Sequence, residues 1–342
     1  EKQHWDAVVI DESHNVTNST AQNNRLARLV ARRSDALILA SATPHNGRKE
    51  SFAELIRLLE PSAVTPEGEL VEELVKDLII RRHRHSPEVA AVVGADWAER
   101  REPNNVLVPA TGIENEIAHE LNETWLHPQS GRSPYSGANS ALFPWTLAKA
   151  FLSSPAALNE SIKNRLARTT DPTETEALTS LKGLADQAVD GRSAKYDALV
   201  KLLQEIGVGV GSPERAVIFA ERVPTLHWLA KRLVKSFGLP SSAVAILHGQ
   251  LSDESQQEIV ESFKQESSPI RLLVTGDVAS EGVNLHLQCH ELIHFDVPWS
   301  LIRIEQRNGR IDRYGQKHRP RITTLLLDPQ GTDFAGDIRV LQ

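Results

Sequence analysis

Methionine is absent from all 342 residues, and cysteine occurs once, at Cys289. A single cysteine excludes an internal disulfide and fits a reducing compartment, so the expected location is the cytoplasm. A chain that opens on Glu1 and has no methionine is expected to be a piece of a longer protein. Long apolar runs are missing too. Residues 36–40 and 325–327 are far too short to span a bilayer, and no N-terminal signal pattern is present, so no membrane partner is expected. Nor is there an excess of basic charge. Lys and Arg number 38 against 45 Asp and Glu, a net charge of −7. Any contact with a polyanion must then be local and confined to a cleft.

What is present is a globular composition, 40% apolar and 24% charged, long enough for two domains. Residues 6–10 and 36–40 read as buried strands on either side of a helix at 20–33, whose apolar face is expected to carry Leu26, Leu29 and Val30. Helices are expected at 50–60 and 69–80, an irregular stretch at 86–105 and a short strand at 106–108. Residues 113–126 read as helix, 127–145 as loop, and 146–190 as mostly helical with a break near 169–173. From about residue 192 strands and helices alternate regularly, with strands expected at 216–220, 243–247, 270–275, 291–295 and 321–327. The fold class is α/β with parallel sheets. In such sheets ligands gather at the carboxyl ends of strands.

Four polar blocks fall at or near those ends. Asp11-Glu12-Ser13-His14 follows the first strand. One acid of such a pair can hold a hard cation while the other orients water, although acid pairs also serve as helix N-terminal charges. Residues 41–47, SATPHNG, can cap a helix or act as a polar hinge. Residues 275–285, TGDVASEGVNL, let backbone approach a ligand closely, or form an ordinary tight connection. Residues 303–316, RIEQRNGRIDRYGQ, hold Arg303, Arg307, Arg310 and Arg313, a pattern suited to gripping an anion. Gly309 and Tyr314-Gly315 argue against a plain amphipathic helix there.

In this order the four blocks resemble motifs II, III, V and VI of superfamily 2 helicases. Residues 306–316 resemble the QRxGRxxRxGQ form of the Swi/Snf-like branch, and residues 80–83, 193–196 and 246–252 resemble further blocks of that branch. DVASEGVN at 277–284 and FDVPW at 295–299 are most similar to the bacterial RapA/HepA-like group. The resemblance implies two RecA-like lobes, the first truncated. Residues 1–85 would be the end of the first lobe, 86–191 a linker and helical insertion, and 192–342 the second lobe.

It also implies roles. Asp11 would bind Mg²⁺ and Glu12 would position the hydrolytic water for ATP. His14, Ser41 and Thr43 would relay nucleotide state. Arg310 and Arg313 would be arginine fingers, Gln306 would bridge the lobes, and Arg307 would support the fingers by pairing with an acid. Glu281 and Gly282 would touch nucleotide. Thr275, His248 and Gly249 would hold nucleic acid, expected to be double-stranded DNA. Arg81 and Arg82, in the basic run 81–85, either bind the nucleic-acid backbone or form a charge cluster at a helix C-terminus. The implied function is an ATP-driven translocase or helicase. Motif I, the GxxxxGK[ST] loop that cradles phosphates, occurs nowhere in the chain, so the chain alone is not expected to hydrolyse ATP. The alternative is a non-hydrolysing binding or scaffold module, in a complex with RNA polymerase or with phage-defence subunits.

Two other patterns have plainer readings. His286, Cys289, His290 and His294 have helical metal-ligand spacing in a segment that reads as loop and strand, so ordinary surface and core roles are expected. Trp125, Tyr135, Phe143 and Trp145 either pack the insertion or form a partner patch, with packing favoured.

Overall fold

The computed structural model describes residues 3–42, 49–94, 96–128, 131–138, 142–277 and 283–330. The chain divides into two compact units, Glu1–Val92 and Val93–Gln342.

In the first unit β1 (Trp5–Ile10) and β2 (Ser34–Leu39) pair in parallel, joined by α1 (Gln22–Ala31). Ile10, Leu37 and Leu39 pack with Val16, Ala27, Leu55 and Leu58, the last two from α2 (Lys49–Leu59). The face of α1 turned inward is not the one its leucines predict. Leu26 and Leu29 are exposed, whereas Asn24 and Ala27 are buried. The helix is oriented by polar bonds instead. Asn24 and Arg28 both donate to Oε1 of the buried Glu54 on α2, and Arg57 donates to Oε2. A buried carboxylate needs such partners.

The helix expected over 69–80 shrinks to α3 (Glu72–Lys76). The backbone before it is spent on an antiparallel bridge, Val64 with Leu70, and on the Val71 N–H to Ala63 carbonyl bond. Conversely, the stretch expected to be irregular contains α4 (Pro87–Val93). Pro87 reads as a breaker, but at the first position of a helix its missing N–H costs nothing and its φ is preset.

The second unit is built on a six-stranded parallel sheet. Its strands are β3 (Asn104–Pro109), β4 (Ala216–Phe219), β5 (Val244–Leu247), β6 (Leu272–Thr275), β7 (Glu291–His294) and β8 (Arg321–Asp328), in the order β3-β8-β7-β4-β6-β5. Alternation along each strand divides the core in two. Ala216, Ile218, Leu272, Val274 and Ile293 face one side, towards α9 (Ala194–Ile206) and α10 (Val223–Phe237). Val217, Phe219, Leu273 and Leu292 face the other, against α11 (Asp253–Lys264), Leu285, Cys289 and Ile311. Both faces are covered at β4, β5 and β6, which is why these strands are nearly unbroken apolar runs. Cys289 is buried. Its Sγ lies 3.3 Å from the Glu291 carbonyl, and burial pushes the thiol up to about 12.

Residues 86–191, read from the sequence as linker and insertion, contain β3, an edge strand of this sheet, and a block of four helices. These are α5 (Gly112–Glu120), α6 (Leu142–Ser153), α7 (Pro155–Leu166) and α8 (Pro172–Asp190). α6 begins inside the stretch expected to be loop. Val108 and Leu327 join the core of this block. α5 opens with a reciprocal cap between Thr111 and Glu114, and Glu114 also accepts from the Ala194 N–H. Trp125 is buried against Phe143, which stacks on Tyr135 at 4.6 Å, whereas Trp145 is partly exposed and meets Trp299 edge-on. Among the described residues no helix is long and apolar enough to cross a membrane.

Candidate functional site

The first polar cluster forms where β1 and β2 end together. The Ala40 N–H donates to the Ile10 carbonyl and the Ser13 N–H to the Ala40 carbonyl, so the two strand ends are tied into one platform. Asp11 is exposed, and its Oδ1 accepts from the Glu12 N–H at 2.8 Å. Glu12 adopts a left-handed backbone, φ 48°, which disfavours any residue but glycine, Asn or Asp. That turn brings its carboxylate back to His14, with Oε2 and Nδ1 3.2 Å apart. The same ring nitrogen lies 3.4 Å from the Ser41 hydroxyl. Asp11, Glu12, His14 and Ser41 therefore form one connected set. Thr43 lies outside the described residues.

An exposed carboxylate backed by backbone suits a hard cation such as Mg²⁺, which takes one or two carboxylates and leaves the rest of its shell to water and phosphate. The phosphate loop itself is supplied by no segment of these 342 residues.

The second cluster lies in the other unit, at the carboxyl ends of three adjacent strands. Glu221, Asp277 and Asp296 each stand two residues beyond β4, β6 and β7 respectively. Asp296 accepts from the Glu221 N–H at 2.8 Å and from the Ser153 hydroxyl at 2.6 Å. Glu221 pairs with Lys149 at 2.7 Å, and burial, reinforced by Asp296, raises its carboxyl above the usual range. Asp277 receives α12 (Leu301–Asn308). Nη1 of Arg303 is 3.1 Å from Oδ2, and Nε of Arg307 is 2.9 Å from Oδ1. As functional positions these acids were not singled out from the sequence. The signal was there: an acid at the same offset after three consecutive sheet neighbours.

The arginines of the 303–316 stretch separate by environment. Arg303 is exposed and Arg307 is wholly buried. Arg307 also donates to the Asp296 carbonyl and lies over the Phe219 ring, so it braces the site from behind and offers no face to a nucleotide. Arg310 and Arg313 are half-buried on the turn after α12. Arg310 donates to the carbonyls of Gln306 and Val283, both at 3.1 Å, and Arg313 donates to Oδ1 of Asn284. Gln306 is also half-buried. The turn is fixed from below by Gln316, whose amide donates to the carbonyls of His286, Cys289 and Ile311. Gly315 takes φ +90°, and a Cβ there would meet His286 Nε2 at 3.3 Å. Glu281 and Gly282 lie outside the described residues.

Of the residues expected to hold nucleic acid, Thr275, His248 and Gly249 gather at the ends of β5 and β6 in the second unit. Thr275 is wholly buried, with its hydroxyl 3.0 Å from the Leu247 carbonyl, so it steadies a strand end and is turned away from any ligand. His248 is buried edge-on to His227, and burial with that neighbour lowers its pKa, which favours a neutral ring. Gly249 beside it is exposed. Arg81 and Arg82 are exposed in the first unit, where Arg82 pairs with Glu88. The histidines near Cys289 point to separate partners. His294 bonds Asn308 at 2.9 Å, and His290 packs on His318.

Comparison with known proteins places these features in context. Residues 194–315 match the helicase conserved C-terminal domain. An uncharacterized ATP-dependent helicase, YqhH of Bacillus subtilis, is 25% identical over 329 residues, covering 92% of this chain and 54% of that protein. The RNA polymerase-associated protein RapA of Pseudomonas putida is 25% identical over 335 residues, covering 92% of this chain and 33% of its own length. The chain thus spans about half or a third of the curated relatives it matches. In fold it resembles the Hef helicase domain of Pyrococcus furiosus, with a TM-score of 0.56 at 19% identity, covering 98% of this chain and 73% of that one. It also resembles the C-terminal part of the Fun30 ATPase domain, with a TM-score of 0.50 at 15% identity, covering 71% of this chain and 89% of that one.

Proposed function

We propose that the chain is part of a superfamily 2 motor of the Swi/Snf-like, RapA-like kind, one that couples ATP hydrolysis to movement along double-stranded DNA; the helicase C-terminal match and the helicase and RapA relatives support this. The observation that carries this reading is the connected set Asp11, Glu12, His14 and Ser41 at the joined ends of β1 and β2.

In this reading Asp11 holds Mg²⁺, which when bound would neutralise phosphate charge. Glu12 accepts a proton from the attacking water, and His14 holds its carboxylate in place and links it to Ser41. Arg310 and Arg313 place positive charge on the phosphate being cleaved, while Arg307 and Asp277 fix the helix that leads to them. Arg81, Arg82 and the exposed backbone at Gly249 contact the nucleic-acid backbone, which makes binding insensitive to sequence. Association with RNA polymerase is proposed by analogy with the relative of that name.

A second reading turns on the GxxxxGK[ST] loop: a degenerate loop in the full-length protein would support it, and an intact one the motor. Under it the protein binds partners on a motor-like scaffold without turnover. DNA-stimulated ATP hydrolysis by the full-length protein separates the two. Glu12→Gln should retain nucleotide binding and lose about 100-fold or more in turnover. Arg310→Ala should lose about 1000-fold. Wild-type turnover in either variant would sink the mechanism, and a wild-type protein without turnover would favour the scaffold.

A further inference from the structure

The sequence assigns nothing to residues 96–101, yet the structure lays them along the arginine turn. Strand β3 pairs with β8, and the same pairing continues backwards beyond the sheet. The Arg101 N–H donates to the Pro320 carbonyl and the Ala98 N–H to the Gln316 carbonyl, both at 2.9 Å. The Gly315 N–H donates to the Asp96 carbonyl at 3.0 Å. Arg319 returns a bond to the Glu99 carbonyl at 3.3 Å. Side chains lock this strap. Trp97 Nε1 donates to Oδ1 of Asp312 at 2.9 Å, and Arg100 lies 3.9 Å from Oδ2 of the same carboxylate and 3.6 Å from Glu305.

Asp312 stands between Arg310 and Arg313 in sequence, and Gly315-Gln316 closes the turn that carries them. Asp96 stands four residues after Val92, where the first unit ends. Residues 96–101 are therefore close in sequence to the first unit, and their bonds run to Asp312 and the Gly315 backbone.

We propose that Trp97 is a positioning residue for hydrolysis, and that the 96–101 strap transmits movement of the connecting chain to Arg310 and Arg313. The inference rests on the motor reading above and adds to it a residue and a route. Trp97 touches neither nucleotide nor metal. It acts through Asp312, by holding the turn in the register at which both guanidinium groups are aimed. Misplacement of such a group by about 1 Å is enough to cost up to about 100-fold in rate.

The test uses the full-length protein, with Trp97→Phe to keep the ring and remove the donor, Asp312→Ala to remove the acceptor, and the double variant. DNA-stimulated ATP turnover is measured with hydrogen exchange at the Ala98 and Gly315 amides. Trp97→Phe should lower kcat about tenfold while KM for ATP stays within about twofold, and should speed exchange at both amides. The double variant should be no slower than Asp312→Ala alone, because that change already removes the acceptor of the indole N–H. Unchanged kcat in Trp97→Phe, with the wild type active, overturns the strap and leaves the motor reading standing. So does a fall in kcat matched by a rise in KM or by loss of folding in the mild Trp97→Phe variant, which marks a merely structural role. Absence of turnover in the wild type overturns the motor reading and the strap with it.

Discussion

The guanidinium of Arg307 is sealed inside the second unit, with its Nε 2.9 Å from Oδ1 of Asp277, the acid two residues beyond β6. An arginine cannot shed its charge to escape burial, so the carboxylate is a condition of its being there. The pair fixes α12 to the end of the sheet, and α12 delivers the turn bearing Arg310 and Arg313. Arg303 uses the other oxygen of the same acid from the surface.

Asp277→Asn should therefore destabilise the protein by about 3 kcal/mol, because it strands a buried charge. Arg303→Ala, at an exposed pair, should cost no more than about 1 kcal/mol. Urea unfolding of both variants checks the contrast. Equal costs would mean that Arg307 finds another counter-charge.

The first unit depends on Glu54 in a similar way. Its carboxylate gathers Asn24, Arg28 and Arg57 at the point where α1 meets α2. Glu54→Ala should cost about 3 kcal/mol, more than Leu26→Ala on the exposed side of α1, which should fall within about 0.5 kcal/mol. Denaturant melts followed by hydrogen exchange at the α1 and α2 amides would read the difference. A larger loss at Leu26 would overturn the assignment of the buried face.

His294 supplies a pH dependence. Burial, with Arg307 beside it, pushes its pKa down to about 4 from an ordinary 6.5, and its Nε2–H donates to Asn308. The unfolded chain then binds a proton that the folded chain refuses. This contribution to stability is complete above about pH 6.5 and is lost as pH falls towards 4, at a slope on the order of 1.4 kcal/mol per pH unit. His294→Gln should flatten that part of the stability–pH curve. A slope unchanged in the variant would assign it to other groups.

Glu12 offers a trade between stability and activity. Its left-handed backbone, φ 48°, costs about 1 kcal/mol for a side chain with a Cβ. Glu12→Gly should raise stability by up to about 1 kcal/mol in thermal melts while turnover collapses. A destabilised Glu12→Gly would show that the His14 contact outweighs the strain.

Much of this was legible in the residues. Runs such as 216–219 and 272–275 announce strands buried on both faces, and the acids after 10 and the arginines after 309 mark a strand end and a helix end. What the chain hid was anything set by distant pairing. The apolar spacing at Leu26 and Leu29 marks a face that is exposed among the described residues, whereas the buried side of α1 is met by Glu54, thirty residues from Asn24. Pro87 concealed a helix start, since the same residue ends helices elsewhere. Strand β3 and the strap before it find their partners only in the distant segments 321–328 and 312–320. Thr275, expected at a ligand, is turned inward by a carbonyl from the neighbouring strand, a contact no local pattern records.

Cys289 turns the second unit into its own clock. It is the one thiol of the chain, closed off beneath the turn that Gln316 anchors and held protonated by its surroundings. A thiol reagent reaches it only when that region opens, so the rate of labelling measures how often the structure beneath the arginine turn comes apart. If a nucleotide or DNA tightens this turn, labelling slows in proportion, and no dye, tag or substitution has to be introduced to see it.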